Sequence, residues 1–182
     1  LDQQLRRHRR LRSEPGTTGR YTNLGYLALG QIVAEAAGEP FVDHVRRRIL
    51  EPLGMPGTYF DAPRPNETTV YQVARPGLTP VLRLALPPGT VDGKIGRWVA
   101  YRPFRVDGAA YGGLVGPATD AATFLRGHLD TTGGGPQLLD PATAAEMQVI
   151  TVQGAPYDHG LGWFRPRQDR HGRPRFVEHL GG

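Results

Sequence analysis

Three side chains in this sequence have the types and positions for a reaction site, two for acid–base chemistry and one for hydrogen bonding. Tyr21 and Asn23 lie two residues apart in Pro15-Gly16-Thr17-Thr18-Gly19-Arg20-Tyr21-Thr22-Asn23-Leu24-Gly25-Tyr26, and His179 opens His179-Leu180-Gly181-Gly182. A phenol ordinarily titrates near pH ~10, so Tyr21 can act as a base at neutral pH only beside a cation or in a comparable field. The Asn23 carboxamide can donate and accept hydrogen bonds, but asparagine is also among the best helix N-caps, and that structural role alone would explain it. An imidazole titrates near neutrality, so His179 could donate to a substrate carboxylate or share a proton with Tyr21. The glycines after it permit close approach of backbone or ligand. A nucleophile is missing from this set. The chain has no cysteine, its one serine, Ser13, is followed by Glu14-Pro15-Gly16, and its one lysine, Lys94, sits in Gly93-Lys94-Ile95-Gly96.

These side chains need elements to hold them. Asn23 reads as the N-cap of a helix over 24–37, which Gly38 ends, with Leu24, Leu27, Ala28, Ile32 and Ala36 at core-facing spacing. Pro40 suits the first turn of a second helix reaching about Leu50, with Phe41, Val45 and Ile49 as its buried stripe. Glu51-Pro52-Leu53-Gly54-Met55-Pro56-Gly57 then turns the chain. Residues 58–110 read as a long wrapping connection with short strands at 58–60, 81–86 and 97–101. Thr119 is placed to cap a third helix over 120–129. Asp140-Pro141 opens a fourth, to about Val149, as a cap followed by proline at the first helical position. Two strands, 160–164 and 175–179, close the chain, and a short helix within 1–12 opens it.

Composition narrows the function classes. With 182 residues, 25 glycines and 17 prolines, the chain is long enough for a real core and rich in loops. The formal charge is +5, concentrated in Leu5-Arg6-Arg7-His8-Arg9-Arg10-Leu11-Arg12. That run lacks the aromatic or glycine-rich pattern of a nucleic-acid site and reads as a solvated helix face, so no nucleic-acid partner is expected. No apolar stretch reaches membrane-spanning length. His8, His44, His128, His159 and His171 show no metal-ligand spacing, and no metal or cofactor is expected. Gly133-Gly134-Gly135 follows a helix rather than a strand and reads as a loop.

The ordered motifs resemble a known family, the serine hydrolases that include class C β-lactamases, DD-peptidases and family VIII-type esterases. The resemblance rests on Pro15-Gly16-Thr17, Tyr21-Thr22-Asn23-Leu24-Gly25-Tyr26, Leu29-Gly30-Gln31-Ile32, Gly38 with Phe41, and Glu51-Pro52-Leu53-Gly54-Met55. It continues through Thr58 with Phe60, Gly112-Gly113-Leu114, Thr119-Asp120, the helix at 138–147, Gly160-Leu161-Gly162-Trp163, and His179-Leu180-Gly181-Gly182. It implies an α+β fold, a helical lobe packed on part of an antiparallel sheet, forming a single partial domain over 1–182. In such enzymes a Ser-x-x-Lys supplies the nucleophile and its lysine. The resemblance implies catalytic roles for Tyr21, Asn23 and His179, and substrate contact at Gly181 and Gly182.

Neither Ser13 nor Lys94 forms a Ser-x-x-Lys, so the expectation is an internal segment of such a hydrolase, inactive alone. Its parent would act on a small-molecule or peptide amide or ester through an acyl-serine. Histidine in place of Lys-Thr-Gly leans toward a peptidase or esterase. A non-catalytic scaffold that keeps the fold is the rival reading, and a secreted, periplasmic or cytoplasmic setting fits either. The sequence leaves the oligomeric state open.

Overall fold

The computed structural model describes residues 2–7, 10, 12–60, 63–65, 67–75, 77–105, 108–129, 137–166 and 176–179. It has the α+β architecture expected, helices with short antiparallel sheets, and its chain divides into two compact units, 1–59 with 109–182 and 60–108.

In the first unit, α1 (Asp2–Arg7) precedes α2 (Asn23–Ala37), and α3 (Phe41–Val45) runs directly into a π-helical turn, Arg46–Leu50. Gly38 ends α2 in the left-handed conformation, φ 68°, which glycine adopts without a Cβ penalty. The N-cap of α2 is Thr22, not Asn23. Thr22 is extended (φ −154°, ψ 135°) and its hydroxyl accepts the Leu24 N–H, so Asn23 becomes the first helical residue. The packed face of α2 also departs from the expected stripe. Ile32 is 62% exposed, whereas Gly30 is buried where a Cβ would overlap that of Ala110. Close backbone approach at a glycine, rather than the largest apolar side chain, sets the orientation of this helix.

Beyond the π turn, Leu53 and Met55 join Val45 and Leu50 in the core. Tyr59 and Val115 exchange both backbone hydrogen bonds, which ties this turn to the start of α5 (Ala118–Leu129). Thr119 lies inside α5 rather than capping it; the Pro117 carbonyl accepts the N–H groups of Asp120 and Ala121. Asp140 caps α6 (Pro141–Gln148) as expected, accepting from the backbone N–H of Ala142 and Thr143 at 3.0 Å each. The expected strand at 160–164 is instead mostly a turn. Gly160 N–H donates to Trp163 O and Gly162 adopts φ 77°, joining strands Tyr157–His159 and Phe164–Pro166 into an antiparallel hairpin. The expected loop at 133–135 lies outside the described residues.

The second unit is a three-stranded antiparallel sheet, order β1-β3-β2, of β1 (Val70–Val73), β2 (Val91–Ile95) and β3 (Trp98–Tyr101). Val99, Ala100 and Tyr101 of the central strand are buried. The expected strand at 81–86 is helix α4 (Leu78–Ala85). Pro80 falls in its first turn, where the missing N–H would have had no intrahelical partner anyway. The expected strand at 97–101 corresponds to β3. Lys94 lies on β2, and its side chain is exposed.

Candidate active site

The loop carrying Tyr21 is tacked to the hairpin region by glycines. Gly19 N–H donates to Gln153 O at 2.8 Å, and Gly19 forms a parallel bridge with Gly154, whose own N–H donates to Asp158 Oδ1. A Cβ on Gly19 would overlap the His159 ring, and one on Gly154 would lie 2.8 Å from Gly19 O. The approach therefore requires glycine on both sides. It fixes the point from which the chain climbs through Tyr21 into α2.

The other wall is the second strand of the hairpin. Phe164 is buried and exchanges both backbone hydrogen bonds with Glu178, at 2.7 and 2.8 Å. That pairing sets His179 beside the hairpin, with its ring 4.9 Å from that of Phe164. Phe164 also meets Tyr21 and His159 edge-on, at 6.2 and 5.0 Å, and stacks on Tyr157 at 6.1 Å. One buried aromatic thus brings two of the predicted residues, Tyr21 and His179, onto a common centre although they lie at opposite ends of the chain. Offset and edge-on ring pairs of this kind add about 0.5–1.5 kcal/mol each beyond area burial.

The phenol that reaches His179 is Tyr26. Its Oη lies 3.3 Å from His179 Nε2, and the rings meet nearly perpendicular at 6.1 Å. Tyr26 is also 5.4 Å from Tyr21, ring to ring. Burial, and then the neighbouring Tyr21, push its pKa above the ordinary phenol value, so it stays protonated through neutral pH. The sequence reading assigned Tyr26 no role. The available signal was its i, i+3 relation to Asn23, which places both on one face of α2.

Tyr21 is 52% exposed. Asn23 is exposed, and its side chain makes no hydrogen bond among the described residues. With Thr22 capping the helix, the carboxamide is not used in capping. Gly181 and Gly182 lie outside the described residues. Ser13 is exposed in a bend ahead of the Tyr21 loop. Among the described residues no group of three or more His, Asp or Glu side chains could hold a metal ion, and no helix is long and apolar enough to cross a membrane. The arrangement offers a phenol, a carboxamide and an oriented imidazole, groups that can move protons and bind a polar substrate.

The Beta-lactamase family model matches residues 2–182. The D-alanyl-D-alanine-carboxypeptidase/endopeptidase AmpH of Escherichia coli (strain K12) is 32% identical over 71 residues, 39% of this chain and 18% of that protein. The D-amino acid amidase from Ochrobactrum anthropi SV3, complexed with L-phenylalanine amide, matches with a TM-score of 0.65 at 26% identity, over 90% of this chain and 46% of that one. The octameric penicillin-binding protein homologue from Pyrococcus abyssi matches in fold, with a TM-score of 0.63 at 21% identity over 84% of this chain and 31% of that one. The chain thus spans less than half the length of each of these proteins.

Proposed function

The chain belongs to the Beta-lactamase family, and from that premise we propose that it forms the tyrosine–histidine side of a serine hydrolase site acting on an amide or ester. The observation that carries this reading is the gathering of Tyr21 and His179 around Phe164, with Asn23 at the start of the adjoining helix and free of the capping role. The nucleophile comes from a segment outside these 182 residues, because the sequence holds no Ser-x-x-Lys.

In the proposed reaction the serine Oγ adds to the substrate carbonyl and its proton passes to the general base, Tyr21 acting together with a lysine of the same outside segment. Collapse of the tetrahedral species breaks the bond to the leaving amine or alcohol, which takes that proton. Water then adds to the acyl-serine by the reverse sequence. The Asn23 carboxamide would bond the substrate amide and the lysine. His179, with Gly181 and Gly182, would bind the end of the substrate opposite the leaving group.

A histidine in the last motif favours peptidase, amidase or esterase chemistry over β-lactam hydrolysis. A carboxypeptidase/endopeptidase and a D-amino acid amidase among the relatives support that preference. The test is turnover of an activated ester by the 182 residues and by the protein from the uninterrupted reading frame. The proposal expects none from the former, and from the latter a rate cut at least ~100-fold by Tyr21→Phe, as for loss of a general base. Turnover by the 182 residues that Tyr21→Phe abolishes would overturn it. So would an inert full-frame protein, which is the scaffold outcome.

A further inference from the structure

The hydrogen bond between α2 and the 176–179 segment carries an assignment that neither the family match nor the motif spacing makes. We propose that Tyr26 is a positioning residue for His179, donating its phenol O–H to Nε2 and so confining the imidazole proton to Nδ1. This deepens the serine hydrolase reading and, for its catalytic meaning, rests on it.

His179 is held on two sides, by the face of Phe164 at 4.9 Å with the rings inclined 33°, and by Tyr26 at 6.1 Å with the rings inclined 78°. The segment carrying it is fixed by the reciprocal Phe164–Glu178 backbone bonds. The Tyr26 Oη–His179 Nε2 separation of 3.3 Å adds a polar contact on the ring within that frame. Tyr26 belongs to a regular helix whose N-terminus is capped by Thr22, so its hydroxyl is presented by a rigid element.

The direction of the bond follows from the chemistry. A neutral phenol has one proton to give, and an imidazole lone pair is a far better base than a phenol oxygen, so the favoured arrangement is O–H···Nε2 rather than Nε2–H···Oη. The half-buried setting of Tyr26 and the phenol beside it keep Tyr26 in the protonated form that this requires. The nitrogen that carries the proton on a histidine is set by the hydrogen bond the other nitrogen makes, so a phenol donating to Nε2 favours the Nδ1–H form. The labour is thereby divided between two tyrosines. Tyr21, 52% exposed and with no side-chain hydrogen bond among the described residues, is left for proton transfer, while Tyr26 orients the histidine.

The test is nitrogen and carbon NMR of histidine-labelled full chain above the pH at which imidazoles titrate, with His179 assigned by its loss in His179→Gln. The wild-type spectrum is expected to show His179 as the Nδ1–H tautomer. Tyr26→Phe is expected to move that proton to Nε2, the usual site of an unconstrained imidazole, with the other histidine signals in place. An Nε2–H tautomer in the wild type overturns the proposal even if Tyr26→Phe fails to fold. An unchanged tautomer in a folded Tyr26→Phe also overturns it. The hydrolase reading fails separately, through an inert full-frame protein, and that failure would leave the tautomer result intact.

Discussion

Replacing Thr58 by valine tests the internal energetics of the first unit most sharply. Thr58 Oγ1 donates to Asp120 Oδ2 at 2.8 Å, linking residues 62 apart in sequence, and the two are 9% and 8% exposed. Valine keeps the branched shape and replaces only the hydroxyl, so little packing is lost, but a buried carboxylate oxygen loses its donor. A hydrogen bond to a charged group contributes about 1.5–3 kcal/mol, and losing it should raise the unfolding constant roughly ten- to hundredfold. Thr58→Ser keeps the donor and removes one methyl, which costs about 1 kcal/mol. The assay is urea unfolding of both variants, read as a midpoint shift at unchanged m-value. The result that refutes the reasoning is a Thr58→Val no less stable than Thr58→Ser. A Thr58→Val/Asp120→Asn double mutant whose losses simply add would refute it equally, because the two residues would then be uncoupled.

Three further outcomes follow from the same structure. Gly19→Ala should cost about 1–3 kcal/mol, since the new methyl overlaps His159, while Gly16→Ala, with open space but φ 77°, should cost about 1 kcal/mol of backbone strain; equal thermal shifts would count against the close-approach argument. Thr22→Ala should lose about 1 kcal/mol of stability and Asn23→Ala less than about 0.5 kcal/mol, and the opposite order would return the cap to Asn23. His128 is buried against Phe124 and Trp163, and burial lowers its pKa below the ordinary histidine value. The unfolded chain therefore takes up that proton first, so stability is full above pH ~6.5 and falls as the pH drops toward the folded pKa, by at most about 1.4 kcal/mol per unit. His128→Leu should flatten that limb in midpoint-against-pH curves, and a slope identical to wild type would exclude the effect.

The family architecture and the helix ends were largely legible in the sequence, because capping and termination depend on a few residues close together. Asp140-Pro141 and Gly38 act locally and were read correctly. Thr22 and Asn23 are both good caps one position apart, and only the backbone dihedrals distinguish them. The face of α2 was misread because apolar periodicity rewards large side chains, whereas Gly30 packs by having none. Val81–Leu86 has strand composition, yet it becomes part of α4, with Val81 and Leu84 exposed. The two outer strands of the second sheet were missed, since β1 is exposed along its whole length and gives no alternation to read. At the candidate site Tyr21 and His179 were singled out by type and motif. Tyr26 was not, because its importance lies in a contact 153 positions away.

The most direct test of the central claim is intact mass of the protein from the uninterrupted reading frame, before and after exposure to a β-lactam or activated ester that acylates serine. The account predicts a mass increase equal to the acyl group, mapped by peptide digestion to a Ser-x-x-Lys outside these 182 residues and slowed by Tyr21→Phe. An unmodified protein under the same exposure, or an adduct whose formation ignores Tyr21, would contradict it.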